Sequence, residues 1–196
     1  MRVYTDGSCR SGTGGWAWWN EHTNQSRSGV ETESTNQRME LKAALEAINE
    51  FFTDPELVII SDSAYLVNCF GEKWWAKWVQ NGWIGNKGNE IVNRDIWEPL
   101  LEIVQEHGNV KFEWVKGHSG VPGNEKVDKL ASEAVIKHQK GKFKDGRSKA
   151  RKAARASQAD GSNEAGAGTG VHSSSGDAAG RVADELAEAD SSGDPS

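Results

Sequence analysis

LVIISDS, residues 57–63, decides how the chain is read. LVIIS is a short continuous apolar run, the pattern of a strand covered on both faces. It closes on Asp62, and in open α/β sheets ligands gather at the carboxyl ends of strands. Upstream, STNQRMELKAALEAINEFF places Leu41, Ala44, Leu45, Ile48 and Phe52 at helical spacing; Thr35 or Asn36 is the expected cap and Asp54-Pro55 the stop. Further upstream, RVYTDGS (2–8), GWAWWN and roughly residues 25–32 read as strands joined by turns such as SGTGG. Downstream, SAYLVNCF and EKWWAKWVQNGW read as helical and IGNKGNE as a loop. NRDIWEPLLEIVQEHG is a further helix, with Asn93 as cap and Gly108 as stop. VKFEWV alternates like a strand, GHSGVPG is a loop, and NEKVDKLASEAVIKH is a last helix. Three strands, helix, strand, helices, strand, helix is a mixed α/β sheet with helices on its faces.

The 196 residues divide unevenly. All nine Trp lie before residue 142, and no aromatic follows Phe143. The expected organisation is therefore a folded domain over 1–142 and a disordered tail over 143–196. The first part carries 16 Lys+Arg against 20 Asp+Glu and the second 7 against 9, so the total of −6 divides as −4 and −2. An acidic body does not attract nucleic acid by net charge; local patches or cations have to do so. Cys9 and Cys69 show no disulfide or metal-ligand spacing, and the N-terminus enters a strand with no apolar signal region. A cytoplasmic setting, with no membrane span, is the expectation.

Four acids occupy odd places. Asp6 interrupts a strand that otherwise reads as buried, where an unpaired charge is costly. Asp62 ends the apolar strand. Glu40 and Asp128 sit at the margins of the apolar stripes of their helices. Singly, such an Asp or Glu is usually a cap or a solvated residue, and spacing alone does not lift four together. If strands 1 and 4 are neighbours with both helices on their sheet, the four converge. They then raise one another's pKa unless divalent cations intervene. All-oxygen ligands without His or Cys select Mg²⁺ or Mn²⁺ over Zn²⁺.

TDGS, TNQRMEL, SDSAY and VKGHSGVPGNEKVDKLA, in this order from about Arg2 to about Lys137, resemble ribonuclease H of type 1. The resemblance implies a five-stranded mixed sheet in order 3-2-1-4-5. It also implies endonucleolytic hydrolysis of the RNA strand of RNA/DNA hybrids, leaving 5′-phosphate and 3′-hydroxyl ends, with roles in removing RNA primers and R-loops. Two Mg²⁺ ions about 4 Å apart, with Mn²⁺ as a substitute, would activate water and stabilise the leaving oxygen. Carried over by residue, Asp6 bridges both metals, Asp128 completes the nucleophile side, and Glu40 and Asp62 hold the leaving-group metal. His118, in GHSG, assists proton transfer or product release.

The same resemblance assigns substrate contacts. Asn36 and Gln37, with the backbone at Cys9, match positions that read the hybrid's minor groove, where the 2′-hydroxyl is reachable. Thr35 and Asn93 match a pocket for a DNA-strand phosphate; capping is the bland role for Thr35 and Asn36, and the two coexist. EKWWAKWVQNGW matches a protruding handle, in which Trp74 is expected to pack and Trp78 and Trp83 to flank the DNA backbone. The handle offers only Lys73, Lys77 and Lys87, against Glu72 and Glu90. Ala64 stands where a groove-reading Gln is common and Glu33 where relatives often place Arg; RSGTGG is shorter than usual and lacks an Asn-Pro. Weaker hybrid affinity and a smaller salt slope follow. Residues 137–156 hold nine Lys+Arg and one Asp; the bland reading is a disordered extension and the sharper one a basic arm that attracts nucleic acid. The expected protein is a monomer with no obligate protein partner. A non-catalytic hybrid-binding module and another nuclease or transposase-like enzyme on the same fold are the competing readings.

Overall fold

The structure is a computed structural model that describes residues 1–160, with side chains described for 1–142. Met1–Ala153 form one compact unit; of the second unit, Ala154–Ser196, only the backbone helix to Asp160 is described. Three strands open the chain: β1 (Arg2–Arg10), β2 (Thr13–Asn20) and β3 (Ser26–Thr32). Ser11 and Gly12 take φ of 50° and 70°, the paired left-handed geometry that suits a tight hairpin. Helix α1 (Asn36–Glu50) follows, capped by the Thr35 hydroxyl, which accepts from the Arg38 N–H at 3.2 Å. Strand β4 is Leu57–Ser61 and is buried along its whole length, as its unbroken apolar run predicts. Helices α2 (Ala64–Gly71), α3 (Trp74–Gln80) and α4 (Arg94–His107) lead to β5 (Val110–Trp114) and α5 (Pro122–Asp160).

The sheet order is β3-β2-β1-β4-β5, with β1, β4 and β5 parallel and the first hairpins antiparallel. One face buries Val3, Trp16, Trp18, Leu57 and Ile59 against α1 and α4 side chains such as Met39, Leu41, Trp97 and Leu100. The other buries Tyr4, Val58 and Ile60 against Val127 of α5. The alternation along β1 and β4 thus supplies two cores, one per face.

Some local expectations change. EKWWAKWVQNGW is not one helix: Lys73 and Trp83 take φ of 58° and 67°, and only Trp74–Gln80 is helical. Asn93 precedes α4 but makes no capping hydrogen bond, because its backbone is left-handed (φ 59°) rather than extended. Gly108 does stop α4, at φ 74°. Helix α5 starts at Pro122, two residues before NEKVD, since proline suits the first helical position. It also runs past the boundary drawn at 142, through a stretch rich in Ala, Lys and Arg, which are strong helix formers. The rest of the tail, 161–196, lies outside the described residues.

Candidate active site

The four acids converge on the centre of the sheet. Arg2, Val3 and Tyr4 pair with Val58, Ile59 and Ile60; the same parallel register carried two residues further sets Asp6 opposite Asp62. Asp6 and Ser8 share a face of β1, and the Ser132 hydroxyl of α5 donates to the Ser8 hydroxyl at 3.2 Å. Asp128 lies one helical turn before Ser132, which sets it over Asp6. Glu40 arrives from the first turns of α1, whose backbone at Met39–Glu40 packs directly on Gly7.

The electrostatics record this convergence. Asp6 is 6% exposed. Burial above all, then the charges of Asp62, Asp128 and Glu40, push its carboxyl up to about 8, against a single opposing hydrogen bond from the Gly7 N–H at 2.7 Å. Glu40 is also raised, by burial and by Asp62, while the Ser63 hydroxyl donating at 2.5 Å pulls the other way. Ser63 serves twice, since the same oxygen accepts from the Leu66 N–H and caps α2. Asp62 accepts from Asn124 Nδ2 at 2.9 Å. No three His, Cys, Asp or Glu side chains among the described residues close on one cation position in this arrangement. The donor set nevertheless fits hard divalent cations: it is all carboxylate, it lacks soft ligands, and its central member is strained by like charge that a cation would relieve.

His118 is exposed in the turn between β5 and α5, at φ 51°. The Ser119 hydroxyl closes that turn on the Lys116 carbonyl at 2.6 Å. A Cβ on Gly117 would stand 2.7 Å from Asp62 Oδ2, so His118 is one residue from the carboxylates.

The remaining residues form two groups. Arg38 donates to both oxygens of Asp95 at 2.9 and 2.7 Å and to Glu31 at 3.1 Å. This ties the first turns of α1 and α4 together and brings Thr35 and Asn93 to one edge. Thr35 and Asn36 are exposed and Gln37 is half-buried. The Asn93 Nδ2 is buried without a protein partner, and Asn93 lies among the residues, with Glu90, Arg94, Asp95 and Glu98, that line an open depression of about 450 Å³. The Cys9 thiol donates to the Ser34 carbonyl at 3.0 Å, fixing the end of β1 to the approach of α1. Trp78 is half-buried against Tyr65, Trp83 and Trp97. Trp74 packs on the same core, as expected.

Trp83 corrects an expectation: it is 7% exposed, a core residue rather than a free wall for DNA. Its left-handed backbone after Gly82 turns the indole inward, under Arg94. Trp83→Ala is expected to lower stability by about 3–5 kcal/mol, as for other buried aromatics. Urea unfolding will read that loss, while hybrid affinity at a temperature where the variant stays folded is expected to remain near that of the parent.

Sequence reading passed over Ser63, Asn124 and Arg38. Ser63 stands within SDS, and Asn124 lies one helical turn before Asp128. Both spacings were visible, but their partners lie far along the chain.

A 3-2-1-4-5 mixed sheet with acids gathered over its two central strands defines the ribonuclease H-like class of nucleases. The chain belongs to the RNase H family, whose model matches residues 1–136. It is 40% identical over 137 residues to the ribonuclease H of Francisella philomiragia, covering 68% of this chain and 89% of that one. The ribonuclease H of Moorella thermoacetica is 40% identical over 141 residues, covering 69% and 91%. A crystal structure of LC9-RNase H1, described as a type 1 RNase H with the type 2 active-site motif, superposes with a TM-score of 0.57. It is 29% identical, and the match covers 68% of this chain and 71% of that one. The chain is thus an endoribonuclease, of the family that cleaves the RNA strand of RNA/DNA hybrids.

Proposed function

We propose that this chain hydrolyses the RNA strand of RNA/DNA hybrids with two divalent cations, Mg²⁺ or Mn²⁺, leaving 5′-phosphate and 3′-hydroxyl ends. The observation that carries this reading is Asp6, buried in the central strand and pushed up to about 8 by burial and by the three other carboxylates. Asp6, Glu40, Asp62 and Asp128 are the residues that would hold the cations. When bound, the cations supply an activated water and neutralise the charge that builds on the phosphoryl and leaving oxygens. Ser63, donating to Glu40, orients it. His118, exposed in the turn between β5 and α5, moves a proton or helps product leave.

Thr35, Asn36, Gln37, Asn93 and the Cys9 backbone take the hybrid, and Trp78 offers its exposed edge to the DNA strand. Glu33 and the sparse lysines of the handle make that grip weak, with a small dependence on salt. Removal of RNA primers and R-loops in the cytoplasm by a monomer is the cellular role we assign. Both cysteines are free, and no helix among the described residues is long and apolar enough to cross a membrane.

The test is cleavage of an end-labelled hybrid in Mg²⁺ and in Mn²⁺, beside RNA/RNA and DNA/DNA duplexes of the same sequence. RNA cleavage confined to the hybrid and abolished by EDTA is the expected result. Hybrid binding without cleavage in either metal would make the chain a binding module.

A further inference from the structure

Asp62 is held from several sides by the end of β5, the loop after it and the first turn of α5. The Trp114 indole N–H donates to its main-chain carbonyl at 3.1 Å. The Gly117 backbone lies against its carboxylate. Asn124 Nδ2 donates to Oδ2 at 2.9 Å. Asn124 is 2% exposed, and its own Oδ1 is buried with no protein partner. The amide can meet an ionised carboxylate only with its N–H₂ edge, since its carbonyl edge would repel it. The orientation that serves Asp62 leaves Oδ1 unpaired. Buried polar groups are ordinarily satisfied at both ends, so one kept half-satisfied points to a task at the end that is used.

We infer that Asn124 is a positioning residue for Asp62: it engages one carboxylate oxygen and leaves the other turned toward a divalent cation. The inference rests on the proposed reading that Asp62 holds such a cation. Asn124 lies one turn before Asp128, so a single face of α5 carries one ligand and the residue that orients another. Capping does not explain Asn124, because its amide is spent on Asp62 and the first α5 hydrogen bond, Glu125 N–H to the Val121 carbonyl, is made without it.

Asn124→Ala and Asn124→Asp test this, with Mg²⁺ and Mn²⁺ titrated by calorimetry and the melting temperature followed in EDTA and at saturating Mg²⁺. Asn124→Ala is expected to weaken cation binding by about 10- to 100-fold, the range seen when an outer-shell partner of a ligand is removed. Its melting temperature in EDTA is expected to stay near that of the parent. Asn124→Asp sets a second carboxylate against Asp62, so it should melt lower in EDTA and gain more from Mg²⁺ than the parent does. A purely structural asparagine predicts the reverse: melting temperatures that fall with cation affinity unchanged. If Asn124→Ala binds cations as the parent does, or Asn124→Asp gains no more from Mg²⁺, the role of Asn124 is overturned while the two-cation reading stands. If the parent itself binds no cation and cleaves no hybrid, both fall together.

Discussion

Asp6→Asn is expected to abolish hydrolysis and, in the absence of divalent cations, to make the protein more stable. Both effects have one origin. In the folded chain the Asp6 carboxyl is pushed up to about 8, from 3.8 in the unfolded one, by burial and by Asp62, Asp128 and Glu40. Between those values the folded state holds a proton that the unfolded state has released. Stability contributed by the protonated form is therefore complete below about pH 4 and is lost as pH rises toward 8. A shift of this size sets a ceiling of about 6 kcal/mol on the cost of the charge at alkaline pH, and local relaxation reduces it to about 1–3 kcal/mol. Asparagine keeps the shape and removes the charge. In EDTA the melting curves of parent and variant should meet near pH 4 and separate up to pH 8, by about 3–10 °C for a chain of this size. Saturating Mg²⁺ should close the gap, because only the parent gains from it. The rate constant is expected to fall by roughly 10³-fold or more, since the charge stabilisation that cations supply in the transition state goes with the carboxylate. A variant that lost activity and stability together would instead mark Asp6 as structural.

Local pattern made much of this fold legible. The unbroken LVIIS run became a strand buried on both faces, and the alternation of Val3, Tyr4 and Thr5 placed Asp6 on a definite side of β1. The four carboxylates stood in odd local places, inside a strand, at a strand end or at the edge of an apolar stripe, but only the ordered motifs around them, TDGS, TNQRMEL, SDSAY and VKGHSGVPGNEKVDKLA, singled them out together. Residues whose meaning depends on distant partners were not legible. Arg38 meets Asp95 57 positions away, Ser63 meets Glu40, and Asn124 meets Asp62 across 62. Trp83 shows the same limit in another form. Next to Gly82 in a polar stretch it reads as a surface residue, and only the left-handed turn of its own backbone sends the indole into the core.

Gly7→Ala is expected to damage both stability and catalysis, although alanine is the smallest change available. Gly7 sits on the α1 face of β1, one residue after Asp6 and opposite Trp16. A Cβ there would overlap the backbone nitrogen of Glu40 and the backbone carbon of Met39. Backbone atoms in a capped helix cannot rotate aside as a side chain would, so the first turns of α1 would have to lift from the sheet. Overpacking of this kind costs about 1–3 kcal/mol, and more where the obstacle is rigid. The displaced atoms belong to Glu40, so lifting the helix also moves a proposed ligand away from Asp6. A misplacement of about 1 Å is enough to cost some 100-fold in rate. Gly71→Ala is the control: nothing lies within 4 Å of its added Cβ, and it should melt at or slightly above the parent with full activity. If Gly7→Ala melts lower yet keeps its rate constant on hybrid, the close approach of α1 to β1 serves the core alone. If both fall while Gly71→Ala is silent, the missing side chain at position 7 is what lets Glu40 reach the site.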